Sequence, residues 1–359
     1  PKKVSKIQDT LSYQPIWQTI EWNLMLQKTW YISKWIFVWA FEKDELISYA
    51  ILEKRSIWAW FFGLFCIWGP VWKTNFEKTL TQICSNENCV FVQIEQLNDL
   101  HCEEECDSKQ KCHPEFISGS RVLSSGDPET SSGWQISSRS NSFFQKWYYK
   151  NFIEKYTAVI NITKTEDEIL AAMKQKWRYN IRLAEKKWVK AKLVENSETN
   201  LETYYNLTKE TNERDKFSSN SKEYFKNFLD YIYLNNLGWM IFAYLNDEVI
   251  AAWIFTFFKK TAIYYYGAST SDNTKRNYMP TYLVQWEAIK EAKSRWCSIY
   301  DFLGIADPDD KNSHLAWVTD FKMKLTNETI KWSESLIYVN KKLVYFGLKL
   351  VRKLRDRSH

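Results

Sequence analysis

The chain has 359 residues, enough for two domains, and 45% of them are hydrophobic, enough for a sizeable core. Its formal net charge of +6 permits an anionic partner but does not require one. The seven cysteines form no regular framework, which favours a reducing compartment over a secreted disulfide scaffold. The longest apolar run, 57–72, is interrupted by glycine and proline and is too short for a spanning helix, and no signal peptide is visible. We therefore expect a cytoplasmic protein.

The first half of the chain predicts a mixed unit of helices and strands. Hydrophobic pattern and turn residues indicate a helix at 14–29, strands at 35–41, 46–53 and 58–67, a helix at 74–84 and a strand at 90–95.

The second half repeats this order. Its predicted elements are strands at 240–245, 249–258 and 261–268, a helix at 282–293 and a strand at 298–303. The sequence itself repeats as well, since AFEKDELISYA at 40–50 corresponds to AYLNDEVIAAW at 243–253. Glu95 and Asp301 lie at matching strand ends. We infer an internal duplication of one α/β unit, with two unrelated meanders as the alternative.

Residues 101–140 interrupt the first unit. Most of this segment is Ser, Gly, Pro and Asp without an apolar period, which is typical of a flexible insertion. Its first part contains five residues of types that bind metals: His101, Cys102, Cys106, Cys112 and His113. Their spacing is not that of a zinc finger or ribbon, so we predict no metal site.

A basic helix is predicted between Thr165 and Val189. Thr165 and Glu168 form a capping-box signature, and apolar residues then recur at helical spacing. Acids stand at its start, and beyond Met173 the other faces carry many bases and one acid, Glu185; the bases include Lys174, Arg178, Arg182 and Lys186. A solvated basic face would explain this pattern, and so would a phosphate-rich partner.

The run Met173–Ala191 resembles the Fem family of non-ribosomal peptidyltransferases, which add amino acids from aminoacyl-tRNA to the stem peptide of a peptidoglycan precursor. Further matching segments follow in the family's order: ETNERDKF at 210–217, YYYGAS at 264–269, RNYMPTYLVQWEAI at 276–289, YDFLGI at 300–305 and TDFK at 319–322. The resemblance implies an α+β fold with two GNAT-like (acyl-CoA N-acyltransferase-like) domains in tandem. The strand and helix order of each half is similar to a GNAT core.

The resemblance also implies a domain plan. The first GNAT-like domain would span 1–164, with its insertion at about 101–140, and the second would span 165–325. The segment 326–359 would pack back on the first domain. No uninterrupted heptad run lies between Ala184 and Trp239, so the long coiled-coil arm of some members is not expected.

In this reading the protein is an aminoacyltransferase that uses no cofactor. Its partners would be aminoacyl-tRNA and a peptidoglycan precursor, either UDP-MurNAc-pentapeptide or lipid II, and it would work in the cytoplasm or at the inner face of the plasma membrane. The sequence contains no phosphate-binding loop, no dinucleotide fingerprint and no convincing Ser–His or Cys–His arrangement. Direct attack of an amine on the aminoacyl ester needs none of these.

The resemblance assigns roles to particular residues. The catalytic candidates are Lys322, Phe321 and Asp301; the substrate-binding candidates are Arg214, Tyr266 and either Lys28 or Lys34; the tRNA-binding candidates are Arg178, Arg182, Lys174 and Lys186. A cation at position 322 could stabilise the tetrahedral oxyanion or the leaving ribose oxygen. The plainer alternatives are a surface lysine at 322 and a structural hydrogen-bond acceptor at 301. Residues 323–326 depart from the glycine-rich step that often follows Phe-Lys in the family.

Two other functions stay open. A GNAT-like enzyme could instead transfer an acyl group from acyl-CoA to a sugar or protein amine, which the fold alone does not exclude. Such an enzyme needs backbone amides that cradle a pyrophosphate, whereas the basic helix offers side-chain cations. The third reading is a non-catalytic RNA-binding protein that uses only the basic helix.

The segment 341–357 predicts a basic amphipathic helix. Leu343, Phe346 and Leu350 could dock on the first domain. The competing interpretation is a contact with an anionic membrane or with tRNA.

The chain has 19 Trp and only 9 Gly, although average usage predicts about 25 glycines. Several tryptophans stand where glycine chemistry is expected, among them Trp68, Trp188, Trp253 and Trp296. Our hypothesis is that many are glycines in the native protein, through a UGA codon that the source reads as glycine. It predicts a positive φ at Trp188 and Trp296 and a native mass below that of the written chain.

Overall fold

A computed structural model describes residues 16–29, 31–42, 45–69, 77–95, 113–118, 144–146, 148–216, 218–310, 313 and 315–355. The chain divides into two compact units, the first built mainly from Trp17–Ile153 and Ser333–His359 and the second mainly from Glu154–Trp332. Among the described helices, none has the length and apolar character that crossing a bilayer requires.

The helices and strands follow one another in mixed order. Up to residue 161 they are α1 (Ile20–Lys28), β1 (Lys34–Glu42), β2 (Glu45–Trp58), β3 (Phe61–Ile67), α2 (Glu77–Asn86), β4 (Phe91–Glu95), β5 (His113–Ser118), β6 (Gln145–Lys146) and β7 (Tyr156–Asn161). From there to residue 258 they are α3 (Glu166–Ala172), α4 (Gln175–Lys186), β8 (Lys190–Val194), α5 (Glu198–Asp215), α6 (Lys222–Leu234), β9 (Gly238–Leu245) and β10 (Glu248–Phe258). The last are β11 (Thr261–Ser269), α7 (Asn273–Arg276), α8 (Pro280–Ser294), β12 (Ile299–Ile305), α9 (Ala316–Lys322), β13 (Thr329–Lys331), β14 (Leu336–Val339) and α10 (Lys342–Arg355).

The first unit is built on one sheet, whose described strands run in the order β5-β1-β2-β3-β4-β14-β6. Strands β1 to β3 are antiparallel neighbours, whereas β3 and β4 are parallel because α2 connects them. One face of this sheet packs on α2 through a core that includes Leu64, Leu80 and Val92. The C-terminal strand β14 adds to β4, so the end of the described chain belongs to the first unit.

The second unit repeats this plan in a sheet with the order β13-β7-β12-β11-β10-β9-β8. Strands β9 to β11 are antiparallel, α8 crosses over, and β12 pairs with β11 in parallel. One face is covered by α4 and α8, which share a core with the sheet that includes Trp177, Ile181 and Leu283. Rings of α6 pack at the other face, where the Phe225 centroid lies 5.2 Å from that of Tyr266.

The two sheets therefore share one βββαβ topology, β1-β2-β3-α2-β4 in the first unit and β9-β10-β11-α8-β12 in the second. This confirms the predicted α+β fold of two tandem GNAT-like domains. The predicted boundary at 164/165 follows β7, and β7 pairs with β12 inside the second sheet. Within the predicted insertion, residues 113–118 form β5 against β1, and the other residues of 101–140 lie outside the described part of the chain.

The basic helix differs from its prediction in one respect. The capping box at Thr165 and Glu168 is present, and the pattern continues to Lys186. However, the helix is interrupted at Met173, whose ψ of 150° is extended, and this divides it into α3 and α4. The break lets the Met173 side chain stay buried while the Lys174 N–H donates to the carbonyl of Lys324 at 3.2 Å. A single continuous helix was therefore the wrong expectation.

Docking of α10 on the first unit uses other residues than those predicted. Tyr345 and Leu348 are buried, and the Tyr345 ring lies 5.7 Å from Phe91. Leu343, Phe346 and Leu350 point outward, with 91%, 64% and 60% of their surface exposed. The helix has apolar residues on two sides, and the sequence pattern alone does not say which one packs.

Four helices end in the same left-handed turn. In each, the N–H of the last residue of the turn reaches the helix carbonyl five residues back, which is a Schellman motif. The residues in the left-handed position are Asn88, Trp188, Asn236 and Trp296, with φ between 56° and 63°. Asparagine adopts this conformation readily, whereas tryptophan is strained in it. The predicted positive φ at Trp188 and Trp296 is confirmed, as is expected if these positions are native glycines.

We expect Trp188→Gly and Trp296→Gly each to raise the free energy of unfolding by about 1 kcal/mol, because glycine removes the left-handed strain. Denaturant unfolding monitored by circular dichroism measures this. Both indole rings are mostly exposed, so little packing is lost. Trp188→Ala is the matched control, since it removes the ring but keeps a Cβ, and it should gain nothing. An equal gain for alanine and glycine would contradict the assignment.

Candidate functional site

A cavity of about 530 Å³ opens in the second unit between the end of α5, strand β11 and helix α9. Four of the predicted site residues line it: Arg214, Tyr266, Phe321 and Lys322. A fifth, Asp301, lies fully buried in the adjacent strand β12. The structure therefore brings the predicted catalytic residues together with two predicted substrate-binding residues.

Lys322 is the last residue of α9 and is only 6% exposed. Its ammonium donates to the carbonyl of Gly304 at 2.7 Å and more weakly to that of Leu303 at 3.4 Å. A solvated surface lysine, the plainer alternative, does not describe this environment. The side chain places a cation at the wall of the cavity, held by backbone oxygens of β12.

A β-bulge in β12 creates this arrangement. The pairing of β12 with β7 shifts between Asp301 and Gly304, and Leu303 takes a left-handed φ of 59°. The Asp301 carboxylate accepts the Leu303 N–H at 2.7 Å and the hydroxyl of Thr157. Asp301 thus stabilises the bulge that carries the two carbonyls. A branched, non-glycine residue held at positive φ marks stored strain, which concentrates at functional sites.

The charge of Lys322 is tuned by its surroundings. Burial lowers its pKa from 10.5 to about 8, against the opposing attraction of Asp301 and Glu154. Glu154 approaches the bulge because position 304 is glycine, where a Cβ would lie 2.3 Å from the Glu154 Cγ. At pH 7 the lysine is still mostly an ammonium, close enough to its pKa to exchange a proton.

Arg214 is held firmly on the cavity wall. Its guanidinium donates to the carbonyls of Ser269 and Thr270 at 3.0 Å and to both carboxylate oxygens of Asp215. Four of its five N–H donors are therefore used within the protein. This arginine ties the end of α5 to the end of β11, a positioning role that the sequence did not indicate.

Tyr266 reaches the same wall from β11. Its hydroxyl accepts from the Asn220 amide at 3.1 Å and lies 3.3 Å from the hydroxyl of Tyr224. Burial raises its pKa well above the usual value, so this hydroxyl keeps its proton and can donate.

Phe321 contributes packing as well as a cavity surface. Its ring lies 5.3 Å from that of Trp177 in α4 and 6.0 Å from that of Tyr282 in α8. It therefore anchors α9, and with it Lys322, to the two helices that cover the sheet.

The two N-terminal lysine candidates lie in the first unit. Lys34 forms an ion pair with Glu87 at 2.7 Å, and Lys54 joins the same carboxylate. Lys28 ends α1 with its side chain exposed. A substrate-binding role stays a prediction for both lysines. The ammonium of Lys34 is already engaged by the Glu87 carboxylate.

The tRNA-binding candidates divide into two groups. Lys174, Arg182 and Lys186 are exposed, and no carboxylate in the described ranges lies within ion-pair distance of them. Arg178 is half-buried, and its guanidinium donates to the carbonyls of Leu170, Ala171 and Met173 at the end of α3. Such a contact caps the broken helix, so Arg178 has a structural function here.

No group of acidic, histidine or cysteine side chains in the described part of the chain could hold a metal ion. The cysteines and histidine at 101–112 lie outside the described residues, and nothing is said of the side chain of His113. The sequence did not predict the bulge at Leu303 or the approach of Glu154 to that bulge. The only available signal was the glycine at 304 three residues after Asp301, within YDFLGI.

The lowered pKa of Lys322 predicts a stability change with pH. Between pH 8 and pH 10.5 the unfolded chain binds a proton that the folded chain has released, so the free energy of unfolding rises with pH. Between pH 7 and pH 9.5 the free energy of unfolding of Lys322→Met should therefore rise by about 2 kcal/mol less than that of the wild type. Urea unfolding at both pH values measures it. Lys324→Met, two residues away, is the control and should keep the rise; identical slopes in all three proteins would contradict the buried position of Lys322.

Comparison with known proteins identifies the family of this chain. The model of the FemAB family matches residues 12–248 and 233–353. Aminoacyltransferase FemA of Staphylococcus aureus is 30% identical over 112 residues, which are 31% of this chain and 26% of FemA. The chain thus aligns with about a quarter of the length of that curated relative.

Solved structures agree on the fold. The crystal structure of FemX superposes with a TM-score of 0.71 at 15% identity, covering 96% of this chain and 97% of that one. L-PGS from Bacillus licheniformis gives 0.51 at 10% identity over 99% and 97% of the two chains. At such identities the likeness concerns the fold alone, while the family match spans most of the sequence. The chain therefore belongs to the FemAB family.

Proposed function

We propose that this protein transfers an amino acid from aminoacyl-tRNA to the side-chain amine of the stem peptide in a peptidoglycan precursor. Membership of the FemAB family and the likeness to FemA support this class of reaction. The single observation that carries the proposal is the buried ammonium of Lys322 at the wall of the second-unit cavity.

In the proposed reaction the acceptor amine attacks the ester carbonyl of the aminoacyl-tRNA. A new C–N bond forms, the C–O bond to the ribose breaks, and one proton of the amine replaces the proton that Lys322 gives to the leaving ribose oxygen. The Lys322 ammonium stabilises the tetrahedral oxyanion or protonates the leaving ribose oxygen. Its pKa of about 8 suits a group that gives up a proton and regains one near neutral pH.

Asp301 acts on this reaction through Lys322. Because its carboxylate accepts the Leu303 N–H, it keeps the bulge in the shape that presents the Gly304 carbonyl to the ammonium. Its negative charge also favours the protonated lysine. We assign it a positioning role and not direct contact with substrate.

The precursor would occupy the cavity beside Tyr266, whose hydroxyl is held by Asn220 on a wall that mixes aromatic and polar side chains. Arg214 adds positive charge there, although its N–H donors already hold the protein backbone. The acceptor would be UDP-MurNAc-pentapeptide or lipid II. In the second case the enzyme would work at the inner face of the plasma membrane, and otherwise in the cytoplasm.

The exposed bases of α4 would bind the tRNA. Arg182 and Lys186 lie one helical turn apart on the exposed face, and Lys174 precedes the first turn. Bases without an acidic partner are free to contact phosphates, and such contacts release counterions.

Lys322→Ala should lower transfer of a labelled amino acid from charged tRNA to the precursor by 100-fold or more, a loss of about 3 kcal/mol of transition-state stabilisation. Single-turnover labelling, with and without ribonuclease, measures it. Lys324→Ala is the matched control and should stay near wild type. Unchanged transfer in Lys322→Ala would refute the catalytic assignment. Ribonuclease-resistant labelling that consumes acyl-CoA would move the protein to the acyl-CoA-dependent class.

Replacing Arg182 and Lys186 together by alanine should reduce the slope of log Kd against log salt by about 1.5 for the tRNA, because two phosphate contacts are lost. Filter binding at several salt concentrations measures this. The control double variant, Lys209→Ala with Lys226→Ala, removes the same charge from the helices on the other side of the sheet. An equal change of slope in both variants would show that net charge, and not the α4 surface, binds the tRNA.

A further inference from the structure

Helix α10 carries an apolar stripe that the described part of the chain leaves uncovered. Leu343, Phe346, Leu350 and Leu354 recur three or four residues apart on its outer side, and each is more than half exposed. The stripe extends for about 17 Å along the helix. A contiguous exposed apolar surface of this kind usually marks an interaction site.

Lysines border the stripe. Lys342 and Lys353 are exposed and lie along one of its edges, with half-buried Lys349 next to them. The helix sequence KLVYFGLKLVRKLR contains no acidic residue. Apolar and cationic groups thus face outward together.

The inner side of α10 is already committed to the first unit. Tyr345 and Leu348 are buried, and the Arg352 guanidinium donates to the carbonyl of Tyr149. The helix is therefore anchored by one apolar side, while the described residues leave its second apolar side uncovered. Docking within the unit explains the first side and leaves the second without a function.

From this geometry we infer that α10 binds the surface of an anionic lipid bilayer. Leucine and phenylalanine side chains enter the acyl region, and the lysines at the edge meet lipid phosphates. A nucleic acid would use the lysines but leave the leucines exposed, so it fits the surface less well. The helix is too short to span a bilayer, at about 21 Å, and would lie in the plane of the interface. This inference does not depend on the proposed aminoacyl transfer.

The test is cosedimentation of the full chain with vesicles. Vesicles of phosphatidylcholine with roughly one third phosphatidylglycerol should bind the protein, and binding should weaken when salt is raised. Phe346→Ser with Leu350→Ser should lower the partition coefficient at least about tenfold. Lys342→Gln with Lys353→Gln should also lower it about tenfold at low salt.

Leu234→Ser is the control, because Leu234 is 86% exposed at the end of α6 and lies outside the stripe. It should bind vesicles as wild type does. All four substituted positions on α10 are exposed, so an unchanged unfolding midpoint shows that the fold is intact. Absence of binding to anionic vesicles, or equal binding by wild type and the Phe346/Leu350 variant, would overturn the inference.

Two other results would also overturn it. Equal binding to pure phosphatidylcholine without salt dependence would remove the role of the lysines. A dimer in sedimentation velocity that the Phe346/Leu350 variant dissociates, together with no vesicle binding, would make a second copy of the chain the occupant of the stripe.

Discussion

The candidate site depends on the contact between the Lys322 ammonium and the backbone carbonyls of the β12 bulge. A cation buried to this degree loses much of its hydration, and only well-placed oxygens and a nearby carboxylate make it tolerable. The carbonyls are well placed because Leu303 is left-handed, and Leu303 is held there by Asp301. Cavity wall, strained backbone and shifted pKa are thus consequences of one local arrangement.

Sequence reasoning went far where the signal was local. Periodicity and turn residues within short windows predicted the helix cap at Thr165, the strands and the repeated order of elements. The structure contains all three. The motif that contains Lys322 identified the residue but not its environment. Its burial comes from the contact of α9 with the β12 bulge and from the packing of the Phe321 ring on Trp177 of α4, both of which involve segments outside the motif.

What could not be predicted has physical reasons. The helix is interrupted at Met173 because burial of the Met173 side chain and the hydrogen bond from Lys174 to Lys324 together stabilise the bend more than one continuous helix would be stabilised. The residues by which α10 docks were predicted on the wrong side of the helix, because both sides are apolar. Which side is buried depends on the segments that pack against it, and the helix sequence does not contain that information. A positive φ at Leu303 had no sequence signal, since leucine rarely adopts it.

The tryptophans affect the site as well as the helix ends. Trp253 in β10 lies on the cavity wall, stacks on Tyr264 at 5.8 Å and is 3% exposed. Its indole N–H is buried without a hydrogen-bond partner in the described structure, an unfavourable state for a donor. A glycine there would remove the unsatisfied group and deepen the cavity beside Tyr264. The hypothesis of native glycines therefore concerns the size of the substrate that the site accepts.

The two units use a buried carboxylate in different ways. The first unit keeps a buried carboxylate at the corresponding strand end, Glu95, whose pKa burial raises to about 7. That carboxylate accepts the N–H groups of Phe152 and Ile153, so it fastens the chain where it leaves the first unit. In the second unit the matching carboxylate, Asp301, instead stabilises a bulge that faces a lysine. The carboxylate therefore fastens the chain in one unit, whereas in the other it holds a bulge beside a buried lysine.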